Sequence, residues 1–194
     1  MAATSDVETR RRKILDAATD LFYSAGFSGV GMDAIGARAG YSGPAIYRHF
    51  SGKDEILATL FDEAIDGLIL VTGPPLEDPW AELGQLVEGH TSFVLEQRTL
   101  AGVKIREERS LAGPSRRRLR DRERRYVDRW LSCVARCRPD LAADAQISAG
   151  HAALGMVNSI ASWPADALKE PSLPRLLVSI VVHGLEGASA PPAA

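Results

Sequence analysis

Apolar residues in this chain recur three and four positions apart in segment after segment, and nowhere do they alternate with polar ones for the length of a strand. That periodicity confines the chain to an all-α fold, with each segment burying one stripe. The first stripe is Ile14, Leu15, Ala18, Leu21, Phe22 and Ala25, closed by Gly26. Ser5-Asp6-Val7-Glu8 reads as the capping box that opens it, after a disordered tip at residues 1–4. Arg10, Arg11, Arg12 and Lys13 lie near its start, either against phosphate or on a solvated face.

Two short segments follow. Met32 to Ala39 reads as a helix with Ile35 and Ala39 inward, and Gly40 stands where the chain must leave it. Ser42 is a good N-cap, Pro44 suits a first helical turn, and Ile46 and Phe50 face inward at i, i+4. Tyr47, Arg48 and His49 add polar donors. Ser51-Gly52-Lys53-Asp54 then reads as a second capping box. Helix, glycine-containing turn and helix form a helix-turn-helix.

Over residues 10–58 the run resembles the TetR repressor family, through Gly26-Phe27, Ile35, Ala39-Gly40, Ser42, Tyr47, His49-Phe50, Lys53 and Leu57. The resemblance implies about nine helices. Three form a DNA-binding domain at residues 1–55, the rest a ligand-binding and dimerisation domain at 56–188, with a disordered tail at 189–194. It further implies a homodimer on a palindromic double-stranded operator, and an inducer among helices four to eight. The expected DNA-binding residues are Asp33, Ser42, Gly43, Pro44, Ala45, Tyr47, Arg48, His49 and Lys53. Tyr47 and Lys53 are assigned to phosphate; Ser42, Gly43, Ala45, Arg48 and Asp33 to bases. The chain departs from the family at Val30-Gly31-Met32-Asp33, where relatives usually start the second helix with Thr or Ser. Asp33 there either accepts from a cytosine amino group or repels phosphate.

A fourth helix is predicted from Lys53 to about Val71, on a stripe from Ile56 to Leu68, broken by Gly73-Pro74-Pro75. Asp78-Pro79 opens a fifth, with His90 on its inner face, either a core histidine or a ligand contact. A sixth runs from about Thr99 to Ser110, and Gly113-Pro114 starts the seventh. Residues 106–125 hold nine Arg against four acids, read as a salt-bridged face or an attractor for an anionic ligand. Pro139-Asp140 opens the eighth, small-residue helix, and Ser172 caps a ninth that is apolar nearly all round. The expected ligand-binding residues are Ala64, Ile65, Leu68, Leu86, His90, Phe93, Arg106, Tyr126, Trp130 and Asn158. They suit a mainly apolar or acyl-like molecule with a polar or anionic end. The expected dimer residues are Gly150, Leu154, Val157, Leu177, Ile180, Val181 and Gly184.

Composition bounds the alternatives. Residues 1–55 carry seven Lys/Arg and seven Asp/Glu, so any DNA contact relies on placement rather than bulk charge. Cys133 and Cys137 lie four apart, which is not a metal-binding CxxC, and read as reduced core thiols of a cytoplasmic protein. No apolar run is long enough to span a bilayer. No phosphate loop, HExxH or GxSxG occurs, so no catalytic residue, metal or cofactor is expected. A ligand-independent DNA-binding protein is the main alternative, and a helical enzyme a remote one.

Overall fold

The chain divides into two units, seen in a computed structural model that describes residues 2–188, with side chains from Asp6 onward. Among the described residues there are nine α-helices and no strand. The first unit comprises the chain up to Ala64 together with Thr99–Arg120, and the second Ile65–Arg98 and the chain from Asp121. Residues 99–120 therefore cluster with the N-terminal helices, whereas sequence reading places them in the C-terminal domain. The tail at 189–194 lies outside the described residues.

The first unit holds α1 (Ala2–Ala25), α2 (Met32–Ala39), α3 (Gly43–Ile46), the first part of α4 (Lys53–Val71), nearly all of α6 (Arg98–Glu107) and the start of α7 (Gly113–Cys137). Helix α1 begins at Ala2, three residues before the expected capping box. Ile14, Leu15, Ala18, Phe22, Ile35, Ile46, Phe50, Ile56, Leu57 and Phe61 form the core, all at 1% exposure or less. Gly40 takes φ 78°, the left-handed C-cap that its place in the sequence implies. Gly36 is required for a different reason: a Cβ there would come within 2.8 Å of the Tyr41 carbonyl oxygen and 3.2 Å of Ile46 Cδ1, where α2 meets α3.

The second unit holds the end of α4, α5 (Pro79–Glu96), most of α7, α8 (Ala143–Ser159) and α9 (Leu173–Gly187), with α5 packed along α9 and α8. Asp78 caps α5 as expected, accepting from Trp80 N at 2.9 Å with Pro79 behind it. Helix α8 starts four residues later than expected, because Asp140 is used otherwise: both its oxygens accept from Arg138, at 2.8 and 2.6 Å. Ser172 does not cap α9; its N–H and hydroxyl both donate to Glu170.

A buried carboxylate ties this unit together. Glu82, 1% exposed, accepts from Arg129 at 2.9 Å and Arg136 at 2.8 Å. The same guanidinium groups donate to the carbonyls of Gly73, Leu76 and Glu77, so one acid and two bases of α7 hold the α4–α5 loop. Removing one member of such a buried set leaves a charge unpaired, at about 3–5 kcal/mol. Cys133 and Cys137 are free and buried. No helix among the described residues is long and apolar enough to cross a membrane.

Candidate nucleic-acid interface and an interior polar cluster

The short α3 presents its polar groups outward. Ser42, Pro44, Tyr47 and Arg48 are exposed, while Gly43, Ala45 and His49 are half-buried. Ser42 is the N-cap residue, but its side chain caps nothing; Ala45 N donates instead to the Ser42 carbonyl, at 2.9 Å. The expected cap bond is therefore absent, and the hydroxyl is left for an outside partner. Asp33, exposed on the first turn of α2, leans across the start of α3, where a Cβ built on Gly43 would overlap its Oδ1.

Lys53 faces inward. Its ammonium donates to the carbonyls of Phe27 at 2.9 Å and Val30 at 3.1 Å and sits 4.5 Å from the Phe27 ring centroid. Those bonds fasten the α1–α2 loop to the start of α4, so the expected phosphate contact from Lys53 is not carried forward. Ser51 donates its N–H and its hydroxyl to Glu55, both at 2.7 Å, which holds that carboxyl below its usual range. The second capping box thus uses Glu55 rather than Asp54.

The basic start of α1 divides in two. Arg11 stacks 4.5 Å from the Phe50 ring centroid, and Arg12 pairs with Asp16 and Glu63. Arg10 and Lys13 remain exposed, as does Arg48. Arg38 is drawn to Asp20 at 2.9 Å. The cations left for phosphate are few, as the neutral charge count of residues 1–55 requires.

Arg106, like Ala64 among the expected ligand residues, belongs to the first unit. Its guanidinium donates to the Tyr23 carbonyl at 2.6 Å and stacks 4.8 Å from the Tyr23 ring centroid. The neighbouring Glu107 accepts from Phe27 N at 3.2 Å. The end of α6 therefore clamps the end of α1, a role no sequence pattern marked. Three arginines of the arginine-rich stretch pair with acids: Arg118 with Asp62, Arg120 with Glu108 and Arg122 with Asp66. These pairs agree with a salt-bridged face at those three positions. The partners of these three lie outside α7.

The second unit gathers Ile65, Leu86, His90, Tyr126 and Trp130 in its core, with Leu68 and Phe93 half-buried; Ala64 closes the first unit. His90 Nδ1 lies 3.3 Å from the Tyr126 hydroxyl, and its ring meets those of Tyr126 and Trp130 edge-on. Burial lowers the His90 pKa to about 4, opposed by a hydrogen bond that the ring donates to the Asn158 side chain, although most of Asn158 is exposed. Burial likewise pushes the Tyr126 hydroxyl up to about 12. Both groups are thus neutral at physiological pH. The Trp130 indole N–H lies against that hydroxyl and lowers its pKa, opposing burial, without forming a well-shaped hydrogen bond; the Thr91 hydroxyl completes none. A separate groove of about 650 Å³ opens elsewhere on this unit, lined by Val71, Leu76, Gly84, Gln85, Glu88 and Val178, none of them an expected ligand residue.

Of the expected dimer residues, Gly150, Leu154, Val157, Leu177 and Val181 are buried within the chain itself; only Ile180 and Gly184 are exposed. Leu131 packs where a Cβ at Gly150 would go. Beside Ile180, the exposed apolar side chains of α8 and α9 are Ile147, Met156 and Leu176.

Residues 14–60 match the model of bacterial regulatory proteins of the tetR family, and residues 76–167 that of the tetracyclin repressor-like C-terminal domain. A curated relative, the transcriptional activator FasR of Mycolicibacterium smegmatis, is 39% identical over 62 residues, covering 32% of this chain and 28% of the relative. The chain thus matches less than a third of that relative's length. Two solved structures share the fold. The TetR family regulator PfmR of Thermus thermophilus has TM-score 0.76 at 22% identity, covering 88% of this chain and 97% of that one. AibR in complex with isovaleryl coenzyme A and operator DNA has TM-score 0.72 at 19% identity, covering 90% and 97%. With both of its halves matched and a helix-turn-helix facing outward, the chain belongs to the TetR family and is a DNA-binding transcriptional regulator, not an enzyme.

Proposed function

We propose that this regulator is a repressor that binds a palindromic operator as a homodimer and is released by a small, mainly apolar ligand. The observation that carries the ligand part is the polar cluster of His90, Tyr126 and Trp130 inside the second unit. DNA binding has no use for it, and an apolar core of the same shape would avoid burying an indole N–H that meets the Tyr126 hydroxyl without a well-formed bond, since an unmade buried bond costs about 1–3 kcal/mol. A bound polar group supplies a better-placed partner. AibR, solved with both an acyl thioester and operator DNA, offers a precedent among proteins of this fold. The homodimer rests on the exposed Ile147 and Met156 of α8 and Leu176 and Ile180 of α9, apolar side chains that a second copy would cover.

The route from ligand to DNA is helix α4, continuous from Lys53 in the first unit to Val71 in the second. A ligand wedged against Ile65 or Leu68 tilts this helix and changes the separation of the two recognition helices. Such a ligand must favour the DNA-incompetent state, since equal affinity for both states shifts nothing. Operator DNA must then weaken ligand binding by the same factor. Because FasR carries the name of an activator, a promoter-reporter assay with and without the protein decides the sign of regulation. Lower expression with the protein, restored by a ligand found bound to it in native mass spectrometry, is the expected result. Higher expression makes it an activator, and operator affinity that saturating ligand leaves unchanged removes the ligand-release reading.

A further inference from the structure

The geometry points to Asp33 as a specificity-determining residue that selects, in each operator half-site, a base carrying an exocyclic amino group. This inference rests on the DNA interface described above and concerns what that interface reads. Asp33 is the only acid between Met32 and Phe50. Among the described residues its carboxylate makes no hydrogen bond or ion pair with the protein, although it is exposed on the first turn of α2. The carboxylate does not extend freely into solvent. It lies over the backbone of Gly43, in the space that the Cβ of any other residue would fill. The first residue of the recognition helix thus has no side chain of its own and is covered by a carboxylate from the preceding helix.

The chemistry of that corner is one-sided. A carboxylate only accepts. The neighbours Gly43, Pro44 and Ala45 bring no side-chain donor, and Ser42 brings a hydroxyl not used in capping. In the major groove, cytosine presents its N4 amino group and adenine its N6, whereas guanine offers O6 and N7 and thymine O4, all acceptors. A carboxylate at this corner therefore favours cytosine or adenine and penalises guanine and thymine. The discrimination at one well-formed contact is about five-fold to a hundred-fold. Gly43 belongs to the same device, because a methyl group there displaces the carboxylate.

Selection of the purified full-length protein against a randomised duplex library tests this, with Asp33→Ala and Gly43→Ala run beside the wild type. The wild type is expected to enrich cytosine or adenine at one position of each half-site. Asp33→Ala should lose that preference at this position alone, and Gly43→Ala should lose it at the same position although it removes no polar group. The inference is overturned if Asp33→Ala binds every sequence more tightly and leaves the base preference intact, which is the behaviour of a carboxylate repelling phosphate. It is also overturned if the two variants lose preference at different positions. Failure of the wild type to enrich any sequence overturns the underlying interface, and so is distinguishable from failure of the Asp33 assignment.

Discussion

Replacing Lys53 with Met keeps the aliphatic stem and removes the ammonium that ties the α1–α2 loop to α4. Two carbonyls, Phe27 and Val30, lose a charged donor, and the Phe27 ring loses its cation. Hydrogen bonds to a charged group contribute about 1.5–3 kcal/mol each when well buried; for this half-buried site about 1 kcal/mol each is appropriate, with about 0.5–1 kcal/mol for the cation over the ring. The two exposed carbonyls recover water in part, so the net destabilisation comes to about 2–3 kcal/mol. Urea denaturation measures it directly. Operator titration at several salt concentrations separates positioning from phosphate contact, since each lost phosphate contact lowers the salt slope by about one unit. The expected variant is less stable, binds operator more weakly and keeps the wild-type slope. Unchanged stability with a slope lower by one unit per recognition helix would refute this reasoning and return Lys53 to the phosphates.

Three further outcomes are expected. His90 has its folded pKa depressed to about 4 against an ordinary value of 6.5, so its contribution is complete above pH 6.5 and is lost as pH falls toward 4. The loss is about 3 kcal/mol, and His90→Leu should flatten the stability profile across that window, read by denaturation at each pH. Glu82→Ala leaves Arg129 and Arg136 unpaired and should lower stability by about 3–5 kcal/mol in urea; a change under 1 kcal/mol would show the network to be incidental. Ile180→Asp places a charge at a position 46% exposed in the single chain, so it should yield a folded monomer by sedimentation with unchanged helicity, and a dimer as tight as wild type would move the interface elsewhere.

Much of the architecture was legible because helix boundaries are local. Gly40, Asp78-Pro79 and Gly113-Pro114 each carry their reason within a few residues, and the structure puts helix ends at all three. The recognition segment was legible for the same reason, since Ile35, Ile46 and Phe50 declare their inward faces by spacing. What escaped depends on which distant group arrives first. Arg106 stands in a basic run that spacing alone cannot apportion, and only the fold brings it to Tyr23. Lys53 has the chemistry of a phosphate contact, but two loop carbonyls claim it first. Helices α8 and α9 were harder to apportion because the polar stripes, Asp144, Ser148, His151 and Asn158 on α8 and Arg175, Ser179, His183 and Glu186 on α9, are narrow, leaving apolar or small residues on both flanks.

The most direct test of operator recognition by this protein is footprinting on the sequence that the purified chain selects. A dimer with two symmetry-related copies of α3 should protect an inverted repeat whose half-sites lie one helical turn apart, about 34–36 Å, or a multiple of it. Protection of a single asymmetric site by one copy, or uniform protection of any DNA offered, would contradict it.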